Sequence, residues 1–269
     1  MIASLACEGA PRDLGRDQGR TCAAALRARF AALPLARRLA LRLGAGGAGA
    51  LGRELARHFP RQAETLAGIA AAAGVPAAFL LACLDAEREA AVALACEGPR
   101  ALVLRPIAGE WVVRERRPEG GFRSVEITRP WLAHALVGVN EAGLAAAVAI
   151  PLGARAAGLP SAPLAEDCLE RFAALEPALE WCLCRPAGRE AALVLADARG
   201  EVAAVEVAAG GRRVLRPADG WLAAGGSPSG RGDLAKRLRE RAPADPALAC
   251  ADPAARSLEV AGRRYGVPR

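Results

Sequence analysis

Leu94-Ala95-Cys96-Glu97-Gly98 marks the point at which the chain changes its pattern. Before it, apolar residues recur at three- and four-residue spacing, through Ala23, Leu26, Phe30 and Leu33, then through Leu51, Leu55, Thr65, Leu66 and Ile69. That period predicts helices. A Gly/Ala-rich break falls at 44–52, and Pro60 stops one helix because the residue before a proline is pushed out of the α region. Gly74-Val75-Pro76 stops the next helix, and an Ala- and Leu-rich helix is predicted over 76–89. After Cys96 come short β-like runs at 102–104, 111–114, 123–128, 133–139 and 144–150, separated by Gly109, Gly120-Gly121 and a turn at 140–143. A helix is predicted within 164–181, strands at 192–196, 202–207 and 212–215, a short basic helix at 232–241 and a last strand at 256–261. No low-complexity linker divides the chain. The expectation is therefore an α+β protein of one domain, 1–269, with a helical region over 1–95 and a sheet-rich region over 96–269.

Composition excludes several classes. With 53% hydrophobic residues the chain can bury a core, which removes disorder as a reading. The formal charge of +7 is carried almost wholly by arginine, since Lys236 is the sole lysine. Those arginines sit among acids, as in Arg12-Asp13, Arg16-Asp17 and 237–241, without a basic run or aromatics for base stacking, so no nucleic-acid partner is expected. The opening residues lack a secretory pattern, and no apolar run of about twenty residues escapes interruption by charge. No membrane partner and a cytoplasmic location are the expectations, with the eight cysteines held as thiols.

Some motifs lack their chemistry. Gly44, Gly46 and Gly49 have the spacing of a dinucleotide-binding loop, but a helical Arg-rich segment precedes them where a strand is required. The glycines of 225–230 have P-loop spacing, yet Arg231-Gly232 stands where Lys and Ser or Thr would hold phosphate and magnesium. Cys182 and Cys184 would share one face of a strand, but His58 and His134 are the only histidines and both read as structural, so no metal and no cofactor are expected. Arg231-Gly232-Asp233 has meaning only outside the cell.

Cys96 differs through its position where helices give way to strands, and it is expected there to be the first residue of a strand. Cleavage of the Ala95–Cys96 bond would set its thiol beside a free α-amino group, whose pKa near 8 makes it a usable base at neutral pH. The same pentapeptide also occurs at 5–9, so local sequence alone does not single out Cys96.

Five segments in order resemble the acyl-CoA:6-aminopenicillanic acid acyltransferase (isopenicillin N acyltransferase-like) family of self-cleaving N-terminal-nucleophile hydrolases. They are the glycine motif at 9–19, the segment 60–76 with Glu64, Gly68, Ile69 and Gly74-Val75-Pro76, the turn Gly138-Val139-Asn140-Glu141-Ala142-Gly143-Leu144, the hairpin of Asp197, Gly200 and Glu206, and the closing stretch 252–261. The resemblance implies a four-layer αββα sandwich, residues 1–95 as a propeptide-like chain, and acyl transfer from a small-molecule amide or acyl-CoA-type thioester. It implies Cys96 as nucleophile, Arg114 as the arginine near the cleavage point and Asn140 as an oxyanion donor. This divergent, shortened sequence departs at Glu97, where the family has Ser or Thr, and at Arg117, where it has an orienting acid. Around Ala223-Ala224-Gly225-Gly226 the family has a second donor asparagine. Those departures imply a second reading, a catalytically inactive member that serves as a binding protein. Arg116 and Arg117 are open to two readings, as groups that neutralise an acidic substrate or lower the Cys96 pKa, or as surface residues.

Overall fold

The computed structural model describes residues 3–44, 47–87, 93–96, 98, 102–106, 109–150, 159–186, 188–208, 211–225 and 248–268. Seven helices and two β-sheets are built from them. The larger sheet has eight strands in the order β1 (Ala3–Gly9), β4 (Val112–Pro118), β5 (Ser124–Thr128), β6 (Val137–Asn140), β7 (Leu144–Ala149), β8 (Ala191–Asp197), β9 (Val202–Ala208) and β10 (Gly211–Leu215). Only the β1–β4 pair is parallel; every other pair of neighbours is antiparallel. The smaller sheet is antiparallel, with six strands in the order β11 (Trp221–Ala224), β2 (Ala93–Cys96), β3 (Leu102–Pro106), β12 (Leu248–Asp252), β13 (Ser257–Val260) and β14 (Arg263–Gly266).

Two cores follow from strand alternation. Residues of one parity on the large sheet, such as Val113, Val125, Ile127, Val139 and Ala147, meet Ala93, Ala95, Val103, Ala249 and Leu258 of the small sheet. Many of these contacts are alanine and valine, so the two sheets stack through short side chains. The opposite face of the large sheet carries Leu5, Val112, Leu144, Leu195 and Val205, packed against helices. Those helices are α1 (Pro11–Ala31), α3 (Ala48–His58), α4 (Pro60–Ala73), α5 (Ala77–Ala86), α6 (Pro163–Arg171) and α7 (Leu175–Cys184), with α2 (Leu35–Arg42) more exposed beside α5. The described residues thus make helix, sheet and sheet in sequence. The basic helix expected over 232–241 lies outside them. No helix among the described residues is long and apolar enough to cross a membrane.

The first ninety residues are not all helical. β1 forms the edge of the large sheet, paired with β4 from Ala3↔Val112 to Gly9↔Pro118. Its alternation of buried Leu5 and Cys7 with exposed Ser4, Ala6 and Glu8 is that of a half-covered strand. The run expected at 133–139 becomes strand only from Val137; residues before it form a buried connection. Cys182 and Cys184 lie on α7 rather than on a strand. Helical geometry therefore separates their faces, burying Cys182 against Cys168 (Sγ–Sγ 3.4 Å) and exposing Cys184.

The glycine motif of α1 is a packing device. A Cβ on Gly15 would lie 1.9 Å from the Thr65 carbonyl oxygen of α4, and one on Gly68 would lie 2.2 Å from the Arg12 carbonyl oxygen. Backbone meets backbone there, and no rotamer change can relieve a methyl group. Gly15→Ala is expected to destabilise the protein by at least about 2 kcal/mol, read as a lower denaturation midpoint in urea.

Candidate functional site

The turns that carry the sequence motifs meet at one rim of the sandwich. Gly98, just beyond β2, donates its N–H to the Gly200 carbonyl (3.0 Å) in the β8–β9 turn. Gly200 has φ +90, and a Cβ there would lie 2.3 Å from the Gly98 carbonyl oxygen, so only glycine fits this crossing between sheets. Gly143 of the β6–β7 turn sits against Ala198 and the Pro253 carbonyl. Asp197 shapes the same rim, since its Oδ1 accepts from the N–H groups of Arg199 and Glu201 and its Oδ2 from Leu175 N–H at the start of α7.

Cys96 is not the first residue of a strand, as expected, but the last of β2, which begins at Ala93; it stands at this rim, paired with Leu102 of β3 and Trp221 of β11. Ala93 and Ala95 are fully buried between the sheets, so alternation turns Cys96 to the outer face of the small sheet, where it is half-buried. Cys7, Cys22, Cys168, Cys182 and Cys250 are buried, Cys83 is half-buried like Cys96, and Cys184 is exposed. Burial pushes Cys7 and Cys250 up to about 12 and Cys22 up to about 11, and also raises Cys83. Cys168 is raised by its contact with Cys182 and by burial.

Arg114 and Asn140 do not join Cys96. Both project toward the helices, from the far face of the large sheet, so the thickness of two stacked sheets separates their side chains from the outer face that carries Cys96. Asn140 uses its whole hydrogen-bonding capacity locally. Its Nδ2 donates to the Leu169 and Phe172 carbonyls (2.8 Å each) at the end of α6, and its Oδ1 accepts from Ala142 N–H (3.1 Å) and Leu144 N–H (2.8 Å). The asparagine that resembles an oxyanion donor here locks a turn to a helix end. The structure separates the expected constellation: Asn140 shares the rim with Cys96 but faces the opposite way, and Arg114 lies deeper in the sheet.

Arg114 belongs to a buried ion cluster that sequence spacing did not reveal. It binds Glu126 Oε2 through Nε (3.1 Å) and Nη2 (2.6 Å), and reaches Glu166 Oε2 (2.9 Å), Gln18 Oε1 (2.8 Å) and the Ala133 carbonyl (3.1 Å). Arg116, two residues on and on the same face, pairs with Glu166, Glu126 and Glu170, while Arg61 of α4 pairs with Glu170. Arg116 is thus neither a surface residue nor a neighbour of Cys96, whereas Arg117 is exposed. Gln18, from the α1 glycine motif, also donates to the carbonyls of Arg129, Pro130 and Leu132. It joins the cluster to the β5–β6 connection.

Two further expectations acquire local explanations. Glu206 pairs with Arg213 (2.5 Å) and accepts from Gly225 N–H (3.4 Å), so the backbone where the second donor asparagine is expected is turned to a carboxylate. Residues 226–230 of the glycine-rich run lie outside the described residues. His58 pairs with Glu54 one turn earlier on α3 (3.5 Å), and the His134 carbonyl accepts from the Thr128 hydroxyl (2.6 Å).

Solved structures with partial similarity to this fold include the following three proteins. A mutant of conjugated bile acid hydrolase from Clostridium perfringens has 16% identity and a TM-score of 0.41 over 56% of this chain and 57% of that one. Penicillin V acylase from Agrobacterium tumefaciens has 19% identity and a TM-score of 0.38 over 56% and 57%. The Caenorhabditis elegans N-acylethanolamine-hydrolyzing acid amidase ortholog has 9% identity and a TM-score of 0.47 over 61% and 93%. The match spans a little over half the length of the first two. No protein-family model and no curated relative matches the chain.

The cluster and the Asn140 clamp each generate a test. Burial pushes Glu166 up to about 7, against the pull of Arg114 and Arg116, with Glu126 and Glu170 adding to the rise. The folded chain then holds this proton more tightly than the unfolded chain. The stabilisation is complete below the ordinary carboxylate pKa near 4.5 and is lost as pH rises through about 7. Relative to Glu166→Gln, the wild-type protein should lose on the order of 3 kcal/mol between pH 4.5 and 8, followed by urea denaturation. Asn140→Asp keeps the shape but turns a carboxylate oxygen toward two carbonyls. Its denaturation midpoint should drop at pH 7, by about 3 kcal/mol or more in stability, and recover in part near pH 4, where the acid is protonated and can donate.

Proposed function

We propose that the chain is a cysteine-nucleophile amidohydrolase or acyltransferase acting on a small-molecule amide or thioester, with Cys96 as the nucleophile. The observation that carries the reading is the place of Cys96: half-buried at the last position of β2, on the rim where the Asn140, Asp197 and Gly200 turns converge. The ordered family resemblance runs through those same turns. In the proposed reaction the thiolate adds to the substrate carbonyl. Collapse of the tetrahedral adduct breaks the C–N or C–S bond, the amine or thiol leaves with a proton, and a thioester remains on Cys96. Water or an acceptor amine then attacks that thioester, releasing acid or new amide and restoring the thiol. Arg114 and Asn140 serve this chemistry as positioning residues, holding the β4–β7 region to the helices.

Self-cleavage at Ala95–Cys96 belongs to the same proposal. Ala95 is fully buried and paired with Val103 and Leu222, and β1 is hydrogen-bonded into the large sheet. A cut chain would therefore keep both pieces together in native conditions. A second reading, a binding protein without catalysis, is favoured by one observation: every donor of Asn140 is committed to a helix-end carbonyl.

Intact-mass spectrometry and acyl-reagent labelling separate the two. The enzyme reading expects fragments 1–95 and 96–269, co-eluting natively, and a stoichiometric adduct on Cys96 that vanishes in Cys96→Ala. An uncut chain whose labelling is the same in Cys96→Ala, carried for instance by exposed Cys184, would overturn the enzyme reading and leave the binding reading standing.

A further inference from the structure

A cavity of about 640 Å³ opens among α1, α2, α5 and the connections on either side of β4 and β5. That volume is in the range of small-molecule sites. It lies at the opposite end of β3 from Cys96: Cys96 pairs with Leu102, the first residue of that strand, while Gly109 and Glu110 of the cavity follow its last residue, Pro106. The cavity is therefore separate from the rim described above.

Its floor is apolar. Phe79 and Leu41 are each 2% exposed, Trp131 is 5% exposed, and Leu33, Ala82, Cys83 and Ala86 lie beside them. Trp131 is held on two sides. The Arg29 guanidinium stands 4.1 Å over its ring, and its Nε1 donates to Glu87 Oε2 (3.1 Å). Among the described residues the charges at the mouth do not balance. Glu87 is neutralised by Arg129 (3.3 Å) as well as bonded to Trp131. Glu110, a side chain 60% exposed, approaches Arg29 only to 3.9 Å. Arg37 is exposed, lines the same mouth and makes no ion pair with a described residue. Two guanidinium groups thus face one loosely held carboxylate above an apolar floor.

We propose that this cavity binds a monoanionic carboxylic acid with an apolar body, its hydrocarbon on Phe79, Leu41 and Trp131 and its carboxylate between Arg29 and Arg37. Guanidinium forks match a carboxylate in two parallel hydrogen bonds, and the remaining Glu110 disfavours a second negative charge on the ligand. Burial of the hydrocarbon supplies the affinity, and the arginines select the charge.

Isothermal titration of the full chain with octanoate and 3-phenylpropanoate tests the assignment, with octan-1-ol and octylammonium as matched bodies lacking the anion. Binding of both acids at least tenfold tighter than either control is expected. Arg37→Glu, an exposed change that leaves the core intact, should weaken the acids at least tenfold and leave octan-1-ol unchanged. Ala82→Phe, which fills the cavity, should abolish binding of all the probes. Cys96→Ala should bind the acids as the wild type does, so the result stands apart from the fate of the catalytic proposal. Absence of binding, equal affinity for octanoate and octan-1-ol, or wild-type affinity in Arg37→Glu would overturn it.

Discussion

The ion cluster beneath the large sheet is the constraint on which the rest of the architecture depends. Arg114, Arg116, Glu126, Glu166 and Glu170 are each almost wholly removed from water, and Arg61 reaches Glu170 from α4, so three guanidiniums face three carboxylates. Burying such charges is costly, and their mutual attraction offsets the cost only where geometry and extra hydrogen bonds are good. Here Ser124 Oγ donates to Glu126 (2.5 Å), Ala135 N–H to Glu166 (2.9 Å), and Arg114 donates to Gln18 and the Ala133 carbonyl. Removing one member leaves its partners charged and dry, which typically costs about 3–5 kcal/mol. The cluster is therefore poor as a source of net stability, but it ties α1, α4, α6, β4 and β5 to one another.

That arrangement reaches the rim. Asn140 is tied to α6 through the carbonyls of Leu169 and Phe172, on the same helix that carries Glu166 and Glu170. Asp197 ties the neighbouring turn to the start of α7. Gly200 then brings that turn against Gly98, one sheet away. A chain of short-range constraints thus runs from the charged core through two helix ends to the end of β2, where Cys96 stands. Disturbance of the cluster would be felt at Cys96 through backbone position rather than through charge, since the two lie on opposite outer faces of the stacked sheets.

Sequence pattern disclosed the parts governed by local rules. The periodicity of α1 and α4, the stop at Gly74-Val75-Pro76 and the antiparallel run from β5 to β9 all follow from spacing and turn residues. The small sheet was largely hidden. β2, β11 and β12 read Ala-Leu-Ala-Cys, Trp-Leu-Ala-Ala and Leu-Ala-Cys-Ala-Asp, alanine-rich runs with little strand propensity of their own, formed because tertiary packing between sheets favours short side chains. The partners of Arg114 are 12, 52 and 96 residues away, beyond any motif. Gln18 and Glu166 give no sign in the sequence that both bond to Arg114. The motif at 138–144 was legible as a turn, but the direction of the Asn140 side chain depends on α6, which a one-dimensional pattern does not place.

The direction of that side chain also bears on how a nucleophile at position 96 would have to work. An oxyanion forming at Cys96 lies outside the reach of Asn140, whose amide protons are taken, and of Arg114, which is enclosed by Glu126 and Glu166. Stabilisation of developing charge requires donors already aimed at it, because donors recruited from existing bonds bring their own cost. Gly98, the backbone amide just beyond Cys96, is turned to Gly200, while Gly225, turned to Glu206, lies past the other end of β2, beyond the pair of Ala224 with Ala93. Chemistry at Cys96 must then draw its donors from the outer side of the small sheet, the side that alternation gives to the thiol. The resemblance joins Cys96, Arg114 and Asn140 in one constellation, whereas the geometry turns Arg114 and Asn140 to the helices, away from the face that carries Cys96.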